Sequence, residues 1–90
     1  MTATDLPGGD LIATGLDDLR CGLETIPALL VSIGAPRLRR LGYSFPLTIP
    51  DPEQRLYALL ARDHAAAAHS RYNALIRRLV SFERAAECAR

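Results

Sequence analysis

Apolar residues in the first part of the chain recur at alternating spacings of three and four, the pattern of one face of a helix. The members of this stripe are Leu16, Leu19, Leu23, Ile26, Leu30 and Ile33. Thr14 precedes the stripe and is followed three residues later by Asp17, a spacing typical of a capped helix start. The sequence therefore predicts a helix that begins at Thr14.

Pro27 interrupts this stripe. Inside a helix, proline removes one hydrogen bond and clashes with the preceding turn, so the pattern allows two interpretations. Either one helix kinks near Glu24, or a second helix begins at Thr25 and carries Pro27 in its first turn, where proline is tolerated. We favour the second helix.

A short helix is predicted near residues 36–41, and Gly42 ends it. The pattern then changes from helical spacing to strict alternation, which indicates an extended segment over 43–50. Pro46 and Pro50 exclude this segment from the centre of a sheet. We expect an extended strap with one apolar face on the helices, formed by Tyr43, Phe45, Leu47 and Ile49.

The sequence Asp51-Pro52-Glu53 predicts a helix start, with a cap, a proline in the first turn and an early acid. From Pro52 onward there is no glycine and no further proline, and one apolar stripe continues almost to the end. A continuous helix of about 38 residues would be ~57 Å long, whereas a break near Asp63 would give a hairpin. We narrowly favour the continuous helix over residues 52–89.

These elements predict an all-α fold: a small helical domain with a long C-terminal helix, or a helical hairpin, and the strap. Pro7-Gly8-Gly9 breaks regular structure, so residues 1–13 are expected to form a flexible N-terminal arm and residues 14–90 a single helical domain. A chain of 90 residues buries only about 60–65% of its unfolded surface, and such small domains often gain stability from a partner.

The net charge of +1 conceals an uneven distribution. Residues 1–34 contain five carboxylates and one arginine, a net charge of −4, and residues 35–90 contain ten arginines and five carboxylates, a net charge of +5. The two parts either attract each other in the fold or present an acidic and a basic face to partners.

No signal peptide and no apolar run long enough for a membrane span are visible in the sequence. We therefore expect a cytoplasmic protein that does not bind membranes. In a reducing compartment Cys21 and Cys88 are expected to be free thiols.

Glu83 is the least expected residue of the C-terminal stripe, because it lies on a helix face that is otherwise apolar. A buried carboxylate needs a cation, water or a proton. Arg37, Arg39 and Arg40 are the candidate partners from elsewhere in the chain. We favour a buried ion pair over a catalytic acid or base, because no partner constellation is visible.

No motif for metal binding or nucleophilic catalysis stands out. His64 and His69 are five residues apart, so they diverge by about 140° on a helix and do not form a metal-binding pair. We expect no metal, no cofactor and no identifiable small-molecule ligand. Enzyme activity is not favoured; the remaining enzymatic hypothesis is an intersubunit site near Glu83 and His69.

Residues 25–42 allow a second hypothesis, an atypical helix-turn-helix. Arg37, Arg39 and Arg40 would then contact nucleic-acid phosphates in a transcriptional regulator. The short second helix and the position of Arg40 fit this motif poorly.

The favoured function is a non-enzymatic protein–protein interaction module, either homo-oligomeric or a small partner subunit. This hypothesis rests on small size, long apolar stripes and the lack of a catalytic frame. The apolar residues expected to divide between core and interface are Tyr72, Leu75, Ile76, Leu79, Phe82, Tyr43 and Phe45.

Overall fold

The computed structural model describes residues 6–89, and within that range the chain is helical with no strand. The predicted all-α class is therefore confirmed. The helices are α1 (Gly9–Arg20), α2 (Ile26–Ile33), α3 (Ala35–Arg40), α4 (Pro52–His64) and α5 (Ala68–Cys88), with a single 3₁₀ turn at Ala65–Ala67.

The first helix begins at Gly9, so the helix start predicted at Thr14 is wrong by five residues. Gly8 has a φ of 74°, a left-handed conformation that glycine adopts without strain, and it directs the chain into α1. Ile12 is only 1% exposed and joins the core. The expected flexible arm therefore does not extend to residue 13, and its first five residues lie outside the described range.

Helix α2 is a separate helix with Pro27 in its first turn, which is the interpretation of Pro27 that we favoured. The Thr25 hydroxyl accepts a hydrogen bond from the Ala28 amide at 3.2 Å, and Pro27 lies in the first turn. This helix is the centre of the fold, because four consecutive residues have no exposed surface: Ala28, Leu29, Leu30 and Val31.

Helix α1 packs against α2 at a position where only glycine fits. A Cβ atom on Gly15 would meet the Pro27 carbonyl oxygen and would lie 2.6 Å from Cγ2 of Val31. The nearest atoms belong to the backbone of α2, which cannot move aside as a side chain can. Any side chain at position 15 would therefore prevent the close approach of α1 to α2.

The predicted short helix is confirmed as α3, which follows α2 after the single residue Gly34. The strap at 43–50 is not helical, and the buried Ser32 hydroxyl holds it against α2. That hydroxyl donates to the Ala28 carbonyl at 3.0 Å and accepts from the Ile49 amide at 3.1 Å. Phe45 is buried as predicted, but Leu47 is 78% exposed.

The segment from Pro52 to Cys88 is helical over 37 residues, but its direction changes at His64, where φ is −147° and ψ is 76°. The rings of Tyr57 and Tyr72 lie 5.8 Å apart, whereas one straight helix would separate them by about 22 Å. The narrow preference for an uninterrupted helix is thus corrected to the hairpin, with its break next to Asp63.

The hairpin is the form that buries both halves of the long stripe. Leu56 and Leu60 on α4 and Leu79 and Phe82 on α5 all belong to the core. The longest dimension of the described chain is 38 Å, shorter than the ~57 Å of a continuous helix. None of the helices in residues 6–89 combines the length and apolarity that crossing a bilayer requires.

Candidate interaction surfaces

The structure divides the seven expected interface residues unequally between core and surface. Phe82, Leu79 and Phe45 are 0%, 4% and 8% exposed. They belong to the core, so their assignment to an interface is corrected: their side of α5 and of the strap faces the other helices. The remaining four are half-buried against that core, namely Tyr72, Leu75, Ile76 and Tyr43.

Glu83 lies buried between α5 and the junction of α2 with α3. One guanidinium nitrogen of Arg37 is 3.9 Å from Glu83 Oε1, and the other is 2.6 Å from Glu87 Oε2. A Cβ atom on Gly34 would lie only 3.1 Å from Glu83 Oε2. Arg37 therefore links α3 to two successive turns of α5, the ion-pair role favoured for Glu83.

Burial raises the pKa of the Glu83 carboxyl above its usual value, while the charges of Arg37 and Arg40 act in the opposite direction. Burial is the larger effect because a carboxylate loses hydration in this apolar site. The folded protein consequently holds the Glu83 proton to higher pH than the unfolded chain does.

We expect the Glu83→Gln substitution to reveal this penalty as a pH-dependent gain in stability. A raised folded-state pKa means that the wild-type chain loses stability as pH rises from the unfolded value through the folded value. The free energies of unfolding should be closest at about pH 3, below the unfolded-state pKa of a glutamate, and the variant should be the more stable protein at pH 7. Denaturant titrations of both proteins across this range measure the difference.

Arg37→Ala is the companion variant, because it keeps Glu83 and removes the closest cation. The pKa of Glu83 should then rise further, so the free energy of unfolding should depend more strongly on pH than in the wild type. A stability difference between Glu83→Gln and wild type that is constant with pH would contradict this account of the site.

The proposed recognition helix of the DNA-binding hypothesis is six residues long and follows α2 after one residue. Arg37 is engaged by two carboxylates, and the Arg39 guanidinium lies 4.7 Å from the centre of the Phe45 ring. A helix-turn-helix has a turn of about 3–4 residues and a recognition helix whose residues reach base edges. The geometry of α3 therefore does not favour this hypothesis.

The residues of the enzymatic hypothesis are not brought together within one chain. His69 and Glu83 are 14 positions apart on α5, which places them about 21 Å apart along its axis. The His69 ring instead contacts the Asn73 amide at 3.2 Å. Over residues 6–89 there is no group of three or more His, Cys, Asp or Glu side chains arranged to hold a metal ion.

Among residues 6–89, the most exposed large apolar side chain lies on the strap. Leu47 is 78% exposed, and Leu23, just after α1, is 50% exposed. Both line a groove of about 410 Å³ between the strap and the end of α1. We call this region the strap surface; its apolar lining consists of Leu19, Leu23, Pro46, Leu47, Ile49 and Pro50.

Charges at the edge of the strap surface are balanced. Arg20 pairs with Asp17 at 3.1 Å and also donates to the Ser44 carbonyl oxygen at 3.0 Å. Arg55 pairs with Glu24 at 2.9 Å. The groove is therefore apolar inside, and each of the two arginines at its edge forms an ion pair with a carboxylate.

Sequence reasoning missed this surface because it placed Leu23 and Leu47 in inward-facing stripes. The two prolines near Leu47 were the available signal, since they prevent the regular pleat on which an inward assignment depends.

A second groove of about 310 Å³ lies between the α2–α3 junction and α5. None of its large apolar side chains is exposed: Ile33, Ile76 and Val80 are half-buried, and Leu79 is buried. Exposed apolar area is what distinguishes interaction sites from ordinary surface, so the strap surface is the stronger candidate.

Comparisons of this chain with protein-family models, with curated proteins and with solved structures found no match.

Proposed function

We propose that this chain is a self-associating interaction module whose strap surface pairs with the strap surface of a second copy. The observation that carries the proposal is the 78% exposure of Leu47 beside an apolar groove. Removing one leucine side chain from water contributes about 1.5–3 kcal/mol, and a symmetric pair would gain this twice.

A second copy is the favoured occupant because the protruding residue and the groove lie on the same surface. A two-fold axis then places Leu47 of each copy against the groove of the other, which is the arrangement of an isologous dimer. The balanced ion pairs Arg20–Asp17 and Arg55–Glu24 let two such surfaces approach without net repulsion.

The strap is also fixed in place before any pairing. Pro46 and Pro50 restrict its backbone, and the Ile49 amide is held by Ser32 at 3.1 Å. A segment that is already ordered loses little conformational entropy on association. Leu47 therefore lies on a segment that already has contacts with the rest of the chain.

We expect Leu47→Asp to convert a dimer into a monomer. Each copy would bring one carboxylate into the apolar contact, and at about 1.4 kcal/mol or more per carboxylate the dissociation constant rises at least about 100-fold. Sedimentation equilibrium should give twice the 9.8 kDa chain mass for the wild type and the single-chain mass for Leu47→Asp.

Ala58→Asp is the matched control, because it adds the same charge at an exposed position of α4; this variant should remain dimeric. A wild-type chain that stays monomeric up to about 1 mM, the limit of weak specific binding, would contradict the proposal. A Leu47→Asp variant that is as dimeric as the wild type would contradict it equally.

A further inference from the structure

The outer side of α5 carries a row of arginines without carboxylate partners. Arg71, Arg77, Arg78 and Arg84 are all exposed. The ion pairs of the described residues involve other arginines, and none of these four has a carboxylate within 4.0 Å in that part of the chain. We call these four residues the α5 arginine row.

The row is concentrated on one side of a regular helix. At 100° per residue its members span an arc of about 140°, and 13 steps of rise separate the first from the last by about 20 Å. Glu83 and Glu87, the acids of α5, lie on the other flank, where Arg37 holds both. Within the described part of α5, no carboxylate therefore lies on the same face as the row.

From this arrangement we propose that the α5 arginine row binds the phosphate backbone of duplex DNA without sequence preference. Guanidinium groups match phosphate geometry with paired hydrogen bonds. A helix about 10–12 Å across fits the major groove of B-DNA, which is about 12 Å wide. The major groove of duplex RNA is too narrow for a helix, so DNA is the better match.

The residues between the arginines favour duplex DNA over a membrane surface or a single-stranded nucleic acid. Ser70, Ala74 and Ser81 occupy the centre of the face and are exposed. A helix that binds a membrane surface inserts large apolar side chains, and none lies here. Binding to single strands relies on aromatic stacking, and the described aromatic rings of α5, Tyr72 and Phe82, lie on its inner side.

The same composition explains why sequence readout is not expected. In the major groove arginine reads guanine, and asparagine or glutamine reads adenine. The four arginines lie at the two edges of the face, where they meet the phosphates, and not at its centre, which would meet the bases. Asn73 is the nearest amide, and its Nδ2 contacts the His69 ring at 3.2 Å. The face therefore offers phosphate contacts and no free amide aimed outward from its centre.

Fluorescence anisotropy with a mixed-sequence DNA duplex of about 20 base pairs tests the proposal through its salt dependence. Four phosphate contacts predict a slope of about −3.6 for the logarithm of the binding constant against that of salt concentration, or about 100-fold weaker binding between 50 and 200 mM salt. Two variants with paired substitutions, Arg77→Gln/Arg84→Gln and Arg71→Gln/Arg78→Gln, should each reduce the slope by about 1.8.

The matched control is Arg39→Gln/Arg62→Gln, which removes the same charge from exposed positions outside α5. Glutamine keeps a helix propensity close to that of arginine, so circular dichroism should be unchanged in all three variants. The proposal is overturned if the wild type does not bind DNA at low salt, if the control loses as much slope as the α5 variants, or if the protein binds only phosphatidylserine vesicles.

Discussion

Replacement of Phe82 by alanine is expected to lower the free energy of unfolding by about 3–5 kcal/mol. Phe82 has no exposed surface, and its ring lies 5.7 Å from that of Tyr43, the first residue of the strap. The substitution leaves a cavity where α5 meets other parts of the core. A domain of this size has a free energy of unfolding of about 5–14 kcal/mol, so the substitution would remove a large part of it. Chemical denaturation followed by circular dichroism measures the change.

Ser81→Ala is the control for Phe82, since it alters the neighbouring exposed position of the same helix. Its stability should remain within about 0.5 kcal/mol of the wild type. If Phe82→Ala kept its stability and lost only self-association, Phe82 would belong to an interface, as the sequence pattern allowed, and the assignment to the core would be wrong.

Gly15→Ala is expected to destabilise the protein by about 2 kcal/mol or more, although alanine is the better helix former. At an open helical position this substitution would stabilise by about 0.5–1 kcal/mol, because it restricts the unfolded chain. At Gly15 the new methyl group meets the Pro27 carbonyl oxygen and Val31 Cγ2. Helices α1 and α2 would have to separate, which loosens the packing of α1 on the buried helix α2.

Thr14→Ala, at the adjacent exposed position of α1, provides the comparison. It should stabilise the protein slightly, by the difference in helix propensity. Thermal unfolding of the two variants should therefore move in opposite directions. A rise in melting temperature for Gly15→Ala would contradict the close approach of α1 to α2.

The helical elements were largely predictable from sequence because their start signals are local. Thr25 with Pro27 and Asp51 with Pro52 each place a proline within the first helical turn, where its fixed φ suits the helix and its missing N–H costs nothing. The start of α1 was not predictable in the same way. Two consecutive glycines, Gly8 and Gly9, predict an interruption of regular structure. Only the left-handed φ of Gly8 shows that the chain enters a helix directly after it.

The hairpin at His64 was one of two predicted alternatives because its cause is not local. The sequence around Asp63 contains alanines that favour helix on both sides of the bend. In the hairpin α4 and α5 contact each other and α2, and these are tertiary contacts that periodicity does not contain. Apolar spacing alone fits a straight helix and a hairpin equally well.

The candidate surfaces were predicted only in part. Glu83 was recognisable as a carboxylate in an apolar stripe, and its partner Arg37 was among three proposed arginines. Exposure was not recognisable: Phe82 and Leu47 both fit an inward-facing pattern, yet one is fully buried and the other is 78% exposed. Leu47 belongs to the strap, whose placement involves tertiary contacts such as the Ser32–Ile49 hydrogen bond, and apolar spacing does not contain such contacts.

Pairing through the strap surface is the central claim, and isotope-filtered NMR of an equal mixture of ¹³C-labelled and unlabelled chains tests it most directly. This experiment detects only contacts between copies. We expect intermolecular signals from the Leu47 methyl groups to protons of the groove, notably those of Leu23 and Ile49. Intermolecular signals that involve only α5, or none from Leu47 at concentrations where the mass is that of a dimer, would contradict the claim.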